Sequence, residues 1–267
     1  MGIDTVRFII PFSTLKKFLA KYNLKLVAEC ENYIINNYID RNEIKKNSDY
    51  EIKFIKISNV KNVSAYILIK TNYESVGTSK SRKKRKNFYS EIVFTGLRQP
   101  TKKISIDTYK ILCLFVNRFK ISDMDICFDG ENETEINENN INRFYYLFQE
   151  YINSFSDRNI FKTSFYINTP RSPDADTDVF KRILIYDKYI KESKHKKLDD
   201  DLKNWKRLEV TIKVQFKYKG FNLDDYLKDI ERMAKRYFNS STFSYEYLNL
   251  QNILLTDRRR HKSYLDL

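Results

Sequence analysis

Punctuation is scarce in this chain. Of 267 residues only 5 are glycine and 4 are proline, so turns must come from Asn, Asp and Ser clusters and element ends are soft. The 3 cysteines, Cys30, Cys113 and Cys127, sit in apolar stretches with neither CxxC spacing nor a neighbouring histidine, which argues against both a disulfide framework and a zinc site. They read as reduced core thiols of a cytoplasmic protein. Only His195 and His261 are present, far apart in sequence, so there is no His-hydrophobe-His pair. No segment approaches the ~20 apolar residues that span a bilayer, and MGIDTVRFIIPF lacks the basic start and long apolar run of a signal peptide. A soluble protein with no membrane partner is expected.

What the chain does have is positive charge and rings. Lys and Arg number 49 against 35 Asp and Glu, for a formal charge of +14, and 15% of residues are aromatic. That balance points to a polyanionic partner, nucleic acid first. A general Lys/Asn/Ile-rich bias would also inflate lysine, so charge supplies direction only. At 267 residues the chain can bury a core without covalent staples.

Alternation of period two predicts strands at 3–12, 51–58, 65–71, 88–95, 122–129, 159–168, 179–187 and 205–214. Helical spacing predicts helices at 105–119, 140–155, 222–238 and 244–255, and at STLKKFLAKY, which Ser13 would cap. The pattern is α+β, a mainly antiparallel central sheet with helices packed on it. Residues 1–100 are expected to form a β-rich part and 101–267 an α+β part of one compact body. Between two strands lies SKSRKKRK, read as a basic hairpin-like loop; Lys80, Arg82, Lys83, Lys84, Arg85 and Lys86 are either a solvated charge run or a clamp on a DNA backbone.

Alternation also sorts the polar residues. Asp123, Asp125, Cys127 and Asp129 share one strand face; Arg207, Glu209 and Thr211 stand outward while Leu208, Val210 and Ile212 turn inward; Arg182, Leu184 and Tyr186 oppose Ile183 and Ile185. If these strands are neighbours, Asp125, Glu209 and Tyr186 converge. Two or three carboxylates on rigid strands would suit Mg²⁺ or Mn²⁺. A tyrosine hydroxyl beside them becomes a nucleophile only if its phenolate is stabilised, for which Lys188 is close in sequence. The plainer reading is a boundary tyrosine at a charged strand end.

Several blocks in order, MGIDTVRFIIPF, KNFYSEIVFTGLRQPTKKI, ISDMDICFDG, FKRILIYDKYIKE and NWKRLEVTIKVQFKYKGFNLDDYL, resemble the rolling-circle initiators of the filamentous-phage gene II protein type, with weaker similarity to transposition-type plasmid initiators and conjugative relaxases. The resemblance implies a fold like that of the HUH (His-hydrophobe-His) endonucleases without the His pair. It also implies nicking and closing of origin DNA through a 5′-phosphotyrosine. Tyr186 takes the place of the nucleophile, Lys188 and Arg207 of its electrostatic support, and Asp125 and Glu209 of the Mg²⁺ or Mn²⁺ ligands, with Asp129 a third. Two departures stand out: Asp123 occupies a position where the family carries arginine, and the His-hydrophobe-His pair of many related nucleases is absent, so carboxylates would have to hold the ion; the chain also ends soon after its last helix pair. Arg182, the 80–86 run and Arg258, Arg259 and Arg260 would grip DNA, and a host helicase and polymerase are possible partners. Tyr189 is read as stacking or packing. The rival expectation is a nucleic-acid-binding regulator that does not nick.

Overall fold

The computed structural model describes residues 2–24, 26–28, 53–57, 65–76, 83–98, 106–152, 156–168, 180–194, 197–214 and 223–238. It is an α+β protein whose chain divides into two compact units. One comprises Thr5–Ser122 and Gln251–Leu267, the other Met1–Asp4 and Asp123–Leu250.

The first unit carries β1 (Gly2–Pro11) from Thr5 onward, α1 (Phe12–Lys21), β2 (Leu26–Ala28), β3 (Lys53–Ile57), β4 (Ala65–Val76), β5 (Lys83–Phe94) and α2 (Ile106–Arg118). Its strands run in the order β2-β3-β4-β5-β1, each pair antiparallel. Helix α1 forms because Leu15, Phe18 and Leu19 make one buried stripe at helical spacing. It begins a residue before Ser13: Pro11 occupies the cap position with no side-chain hydrogen bond, so the expected serine cap is not made. Proline ends the strand, having no N–H for the ladder, and leaves Phe12 to open the helix. Phe115 from α2 is the hub of the core, with ring centroids 4.8 Å from Phe18, 5.3 Å from Phe94 and 5.7 Å from Phe8.

The basic run departs from the sequence reading. Lys83, Lys84, Arg85 and Lys86 are not in a loop; they open β5 and pair with 73–76 of β4, from Val76↔Lys83 to Tyr73↔Lys86. Neither Gly nor Pro interrupts either stretch, so nothing stops the ladder. Lys80, Arg82, the predicted helix at 244–255, Arg258, Arg259, Arg260, His195, His261 and Cys30 lie outside the described residues.

The second unit holds β6 (Asp123–Glu131), α3 (Ile141–Phe148), β7 (Asp157–Phe161), β8 (Ser164–Asn168), β9 (Phe180–Asp187), α4 (Lys188–Ser193), β10 (Trp205–Lys213) and α5 (Leu223–Tyr237). Its strands lie in the order β6-β10-β9-β8-β7, all pairs antiparallel. The strand expected at 159–168 is instead a hairpin, because Phe161 pairs with Ser164 across a two-residue turn in which Lys162 takes φ 55°. That left-handed residue is a lysine rather than Gly or Asn, so the turn carries no sequence signal. The helix expected at 140–155 is regular only over Ile141–Phe148, with single 3-10 turns at either end.

Directly opposed residues of an antiparallel pair point to the same side. On one side of the sheet lie Ile126, Phe128, Ile183, Ile185, Leu208, Val210 and Ile212, all buried. Phe144 of α3 packs on Phe165 of β8 at 5.4 Å and meets Tyr237 of α5 at 6.1 Å. Helix α5 presents Ile230, Met233, Ala234 and Tyr237 as its buried stripe, with Asp224 and Asp225 in its first turn and Lys235 and Arg236 in its last, which suits the helix dipole. Gly130 belongs to this side for a steric reason: a Cβ there would stand 2.6 Å from the Phe238 ring. Among the described residues no helix is long and apolar enough to cross a membrane.

Candidate functional site

The opposite side of the same sheet is polar. Register places Asp129 opposite Arg207 and Arg207 opposite Tyr186; one step along, Cys127 faces Glu209 and Glu209 faces Leu184; the next step aligns Asp125, Thr211 and Arg182. Strand alternation therefore delivers Asp125, Asp129, Arg207, Glu209 and Tyr186 to one face, although not to solvent. All five are buried, Tyr186 with 4% of its surface exposed and Arg207 with none. The outward orientation expected for Arg207, Glu209 and Thr211 is thus only half of the outcome: this layer too is covered.

Arg207 is the centre of the layer. Its Nε and Nη2 donate to the two oxygens of Asp129, at 2.7 and 3.0 Å, and its Nη1 donates to Asp4 Oδ1 at 2.8 Å. The same Nη1 lies 3.8 Å from Glu209 Oε1. Trp205 Nε1 adds a bond to Asp129 at 3.1 Å. Burial pulls the guanidinium pKa down, but Tyr186, Cys127, Asp129 and Asp4 outweigh it and hold Arg207 well above its ordinary range. Tyr186 donates its phenolic hydrogen to Glu209 Oε1 at 2.8 Å. Burial first, then the Glu209 charge, pushes its pKa well up, against the pull of Arg207, so the phenol is held neutral. Asp4 is raised to about 6, chiefly by burial and then by Glu209, with Arg207, Lys188 and Lys191 acting the other way. Three carboxylates around one guanidinium leave surplus negative charge, and a proton on Asp4 relieves it.

Lys188 is buried and paired with Glu192 at 2.7 Å; its Nζ stands 6.0 Å from the centroid of the Tyr186 ring. Lys191 comes closer to that ring, at 4.5 Å. Both sit on α4, which Asp187 starts by accepting from the Ile190 N–H at 2.8 Å. This helix explains the abrupt polar ending of FKRILIYDKYIKE: Tyr186 is in the strand, while Tyr189, half-buried, is in the helix. Sequence reasoning missed Asp4 and Lys191. Asp4 was not findable by spacing, being 203 positions from Arg207, whereas Lys191 lies five residues past Tyr186 in the same block.

The proposed metal ligands do not gather. Asp125 accepts from Thr211 Oγ1 at 2.6 Å and pairs with Arg182 at 3.4 Å; Asp129 is taken by Arg207 and Trp205; Glu209 is taken by Tyr186. Asp123 pairs with Lys181 at 2.8 Å. Among the described residues no group of three or more His, Cys, Asp or Glu side chains is disposed to hold a metal ion. With protein donors on each carboxylate, the set does not fit a shared Mg²⁺ or Mn²⁺ in this arrangement. No family model matches the chain, and no curated protein and no solved structure is significantly similar to it.

Proposed function

We propose that the chain is a DNA nicking and closing enzyme that starts rolling-circle replication of a phage, plasmid or other mobile element, with an HUH-like fold that lacks the histidine pair. The observation that supports it is the 2.8 Å hydrogen bond from the Tyr186 hydroxyl to Glu209, beside Arg207. In this reading Tyr186 Oη attacks a phosphodiester phosphorus and Glu209 takes the phenolic proton. The P–O3′ bond breaks, leaving a 5′-phosphotyrosine and a 3′-oxygen that receives the proton from Glu209. Resealing is the reverse. Arg207, with Lys188 and Lys191 near the ring, favours the phenolate as the proton leaves. Because Tyr186 is 4% exposed, attack requires the layer over it to open, which couples chemistry to DNA binding. No step is assigned to a metal.

A second reading has its own support. Asp125, Asp129 and Glu209 each already accept a hydrogen bond within the protein and Tyr186 is covered, as a nucleic-acid-binding regulator that never nicks would have it. A conjugative relaxase would share the chemistry of the first reading. The test uses supercoiled DNA of the element that encodes the chain, with Mg²⁺, with Mn²⁺ and with chelator. The enzyme reading expects open-circular product carrying protein on its 5′ end, lost in Tyr186→Phe. Equal nicking by Tyr186→Phe removes Tyr186 as nucleophile; salt-dependent binding without cleavage under any condition favours the regulator.

A further inference from the structure

The polar face changes character toward its outer strands. The row Asp129, Arg207, Tyr186 continues through Ser164 of β8 to Phe161 of β7, and the next row runs from Glu209 through Leu184 and Tyr166 to Asn159. On β6, β10 and β9 these rows are buried, yet Phe161 is 48% exposed, Asn159 and Asn168 are exposed and Tyr166 is half-buried. Phe161 stands two strands from Tyr186, roughly 10 Å at ordinary strand spacing. Lys162 holds its ammonium 5.1 Å from the Phe161 ring, while Arg182, opposite Asn168, is buried at Nε and paired with Asp125 through Nη2. A diagonal pair of rings interleaved with amides and a cation is what a single-stranded polynucleotide uses: π-faces for its bases, amides for their edges, a cation for its phosphates.

We infer that the outer sheet surface of β7 and β8, built on Phe161 and Tyr166, is a stacking platform for single-stranded DNA that leads the strand to Tyr186. This rests on the reading of the chain as an enzyme acting on DNA strands. Phe161 and Tyr166 stack bases, Asn159 and Asn168 meet base edges, and Lys162 takes a phosphate. The occupant is a nucleic acid because the chain carries +14 overall and Lys162 stands beside the Phe161 ring, with Asp157, opposite Asn168, the one exposed carboxylate along these rows.

The experiment measures binding of the full chain to fluorescein-labelled oligo-dT in chelator, so that no cleavage is needed, with a duplex of equal length alongside. Phe161→Ala and Tyr166→Ala are each expected to weaken single-strand binding by about 5- to 150-fold, the range for loss of one stacked base, with little effect on duplex binding or on the salt slope. Phe161→Trp should retain affinity, and its indole fluorescence should be quenched by oligo-dT. Tyr146→Ala removes another exposed ring, on α3 and off this face, and should leave affinity unchanged. Unchanged affinity in Phe161→Ala and Tyr166→Ala, or an equal loss in Tyr146→Ala, overturns the platform; melting curves on each variant separate lost binding from lost fold. Oligo-dT binding that depends on Phe161 and Tyr166, in a protein that never nicks, keeps the platform and removes the nicking reading. Intact nicking by the Phe161→Ala/Tyr166→Ala double variant at unchanged KM does the reverse.

Discussion

The two faces of the β6-β10-β9 sheet are buried alike and built from opposite materials. One is Ile, Leu, Val, Phe and Met, closed by α3 and α5, with the buried Lys206–Asp187 pair at its end; the other places Asp125, Asp129, Glu209, Arg207, Thr211 and Tyr186 out of water. The apolar face stabilises by removing surface from solvent, at roughly 25 cal/mol per Å². The polar face carries a desolvation cost that pairing only offsets, and an apolar replacement of similar volume is often as stable. A face maintained at that disadvantage is where function is to be sought.

The largest expected effect breaks the polar face at its centre. Arg207→Leu leaves Asp129 and Asp4 buried without their cation and should cost about 3–5 kcal/mol in urea unfolding. The triple change Asp4→Asn, Asp129→Asn, Arg207→Met should recover much of that loss, which would show that unpaired charge, and not lost volume, is responsible. On the apolar face Gly130→Ala drives a methyl into the Phe238 ring, for an expected loss of about 1–3 kcal/mol in the same measurement.

A smaller effect is tied to pH. Asp4 titrates at about 6 in the folded protein against an ordinary aspartate value of 3.8, so between those values the folded chain holds a proton the unfolded chain has released. Its contribution to stability is full below the unfolded value and is lost as pH rises through about 6, at up to ~1.4 kcal/mol per pH unit. Asp4→Asn should flatten the stability profile over that window while its amide oxygen still accepts from Arg207; an unchanged slope would remove Asp4 as the titrating group. The smallest effect lies outside both faces: Arg232→Ala breaks an exposed pair with Asp229 on α5 and should change stability by less than ~0.5 kcal/mol.

Most of this contrast was legible as alternation. Period two separates Leu208, Val210 and Ile212 from Arg207, Glu209 and Thr211 whatever the tertiary fold, because a strand has only two sides. Alternation does not say whether the polar side meets water, so the burial of Tyr186 was invisible, as were the donors that occupy the carboxylates. Asp4 enters from the other end of the chain, a contact no local pattern encodes. The Lys162 turn and the strand through 83–86 were missed because lysine is an unusual signal for either. The resemblance to rolling-circle initiators supplied only proposed roles for Tyr186 and Glu209; the fold places these two in hydrogen-bond contact.

The most direct measurement is to trap the covalent intermediate. The protein is incubated with a single-stranded library of randomised sequence, denatured and digested, and the nucleotide-bearing peptide is sequenced by mass spectrometry. The expected result is a phosphodiester adduct on Tyr186, absent in Tyr186→Phe. An adduct on another residue, or none from a library that the protein demonstrably binds, would contradict it.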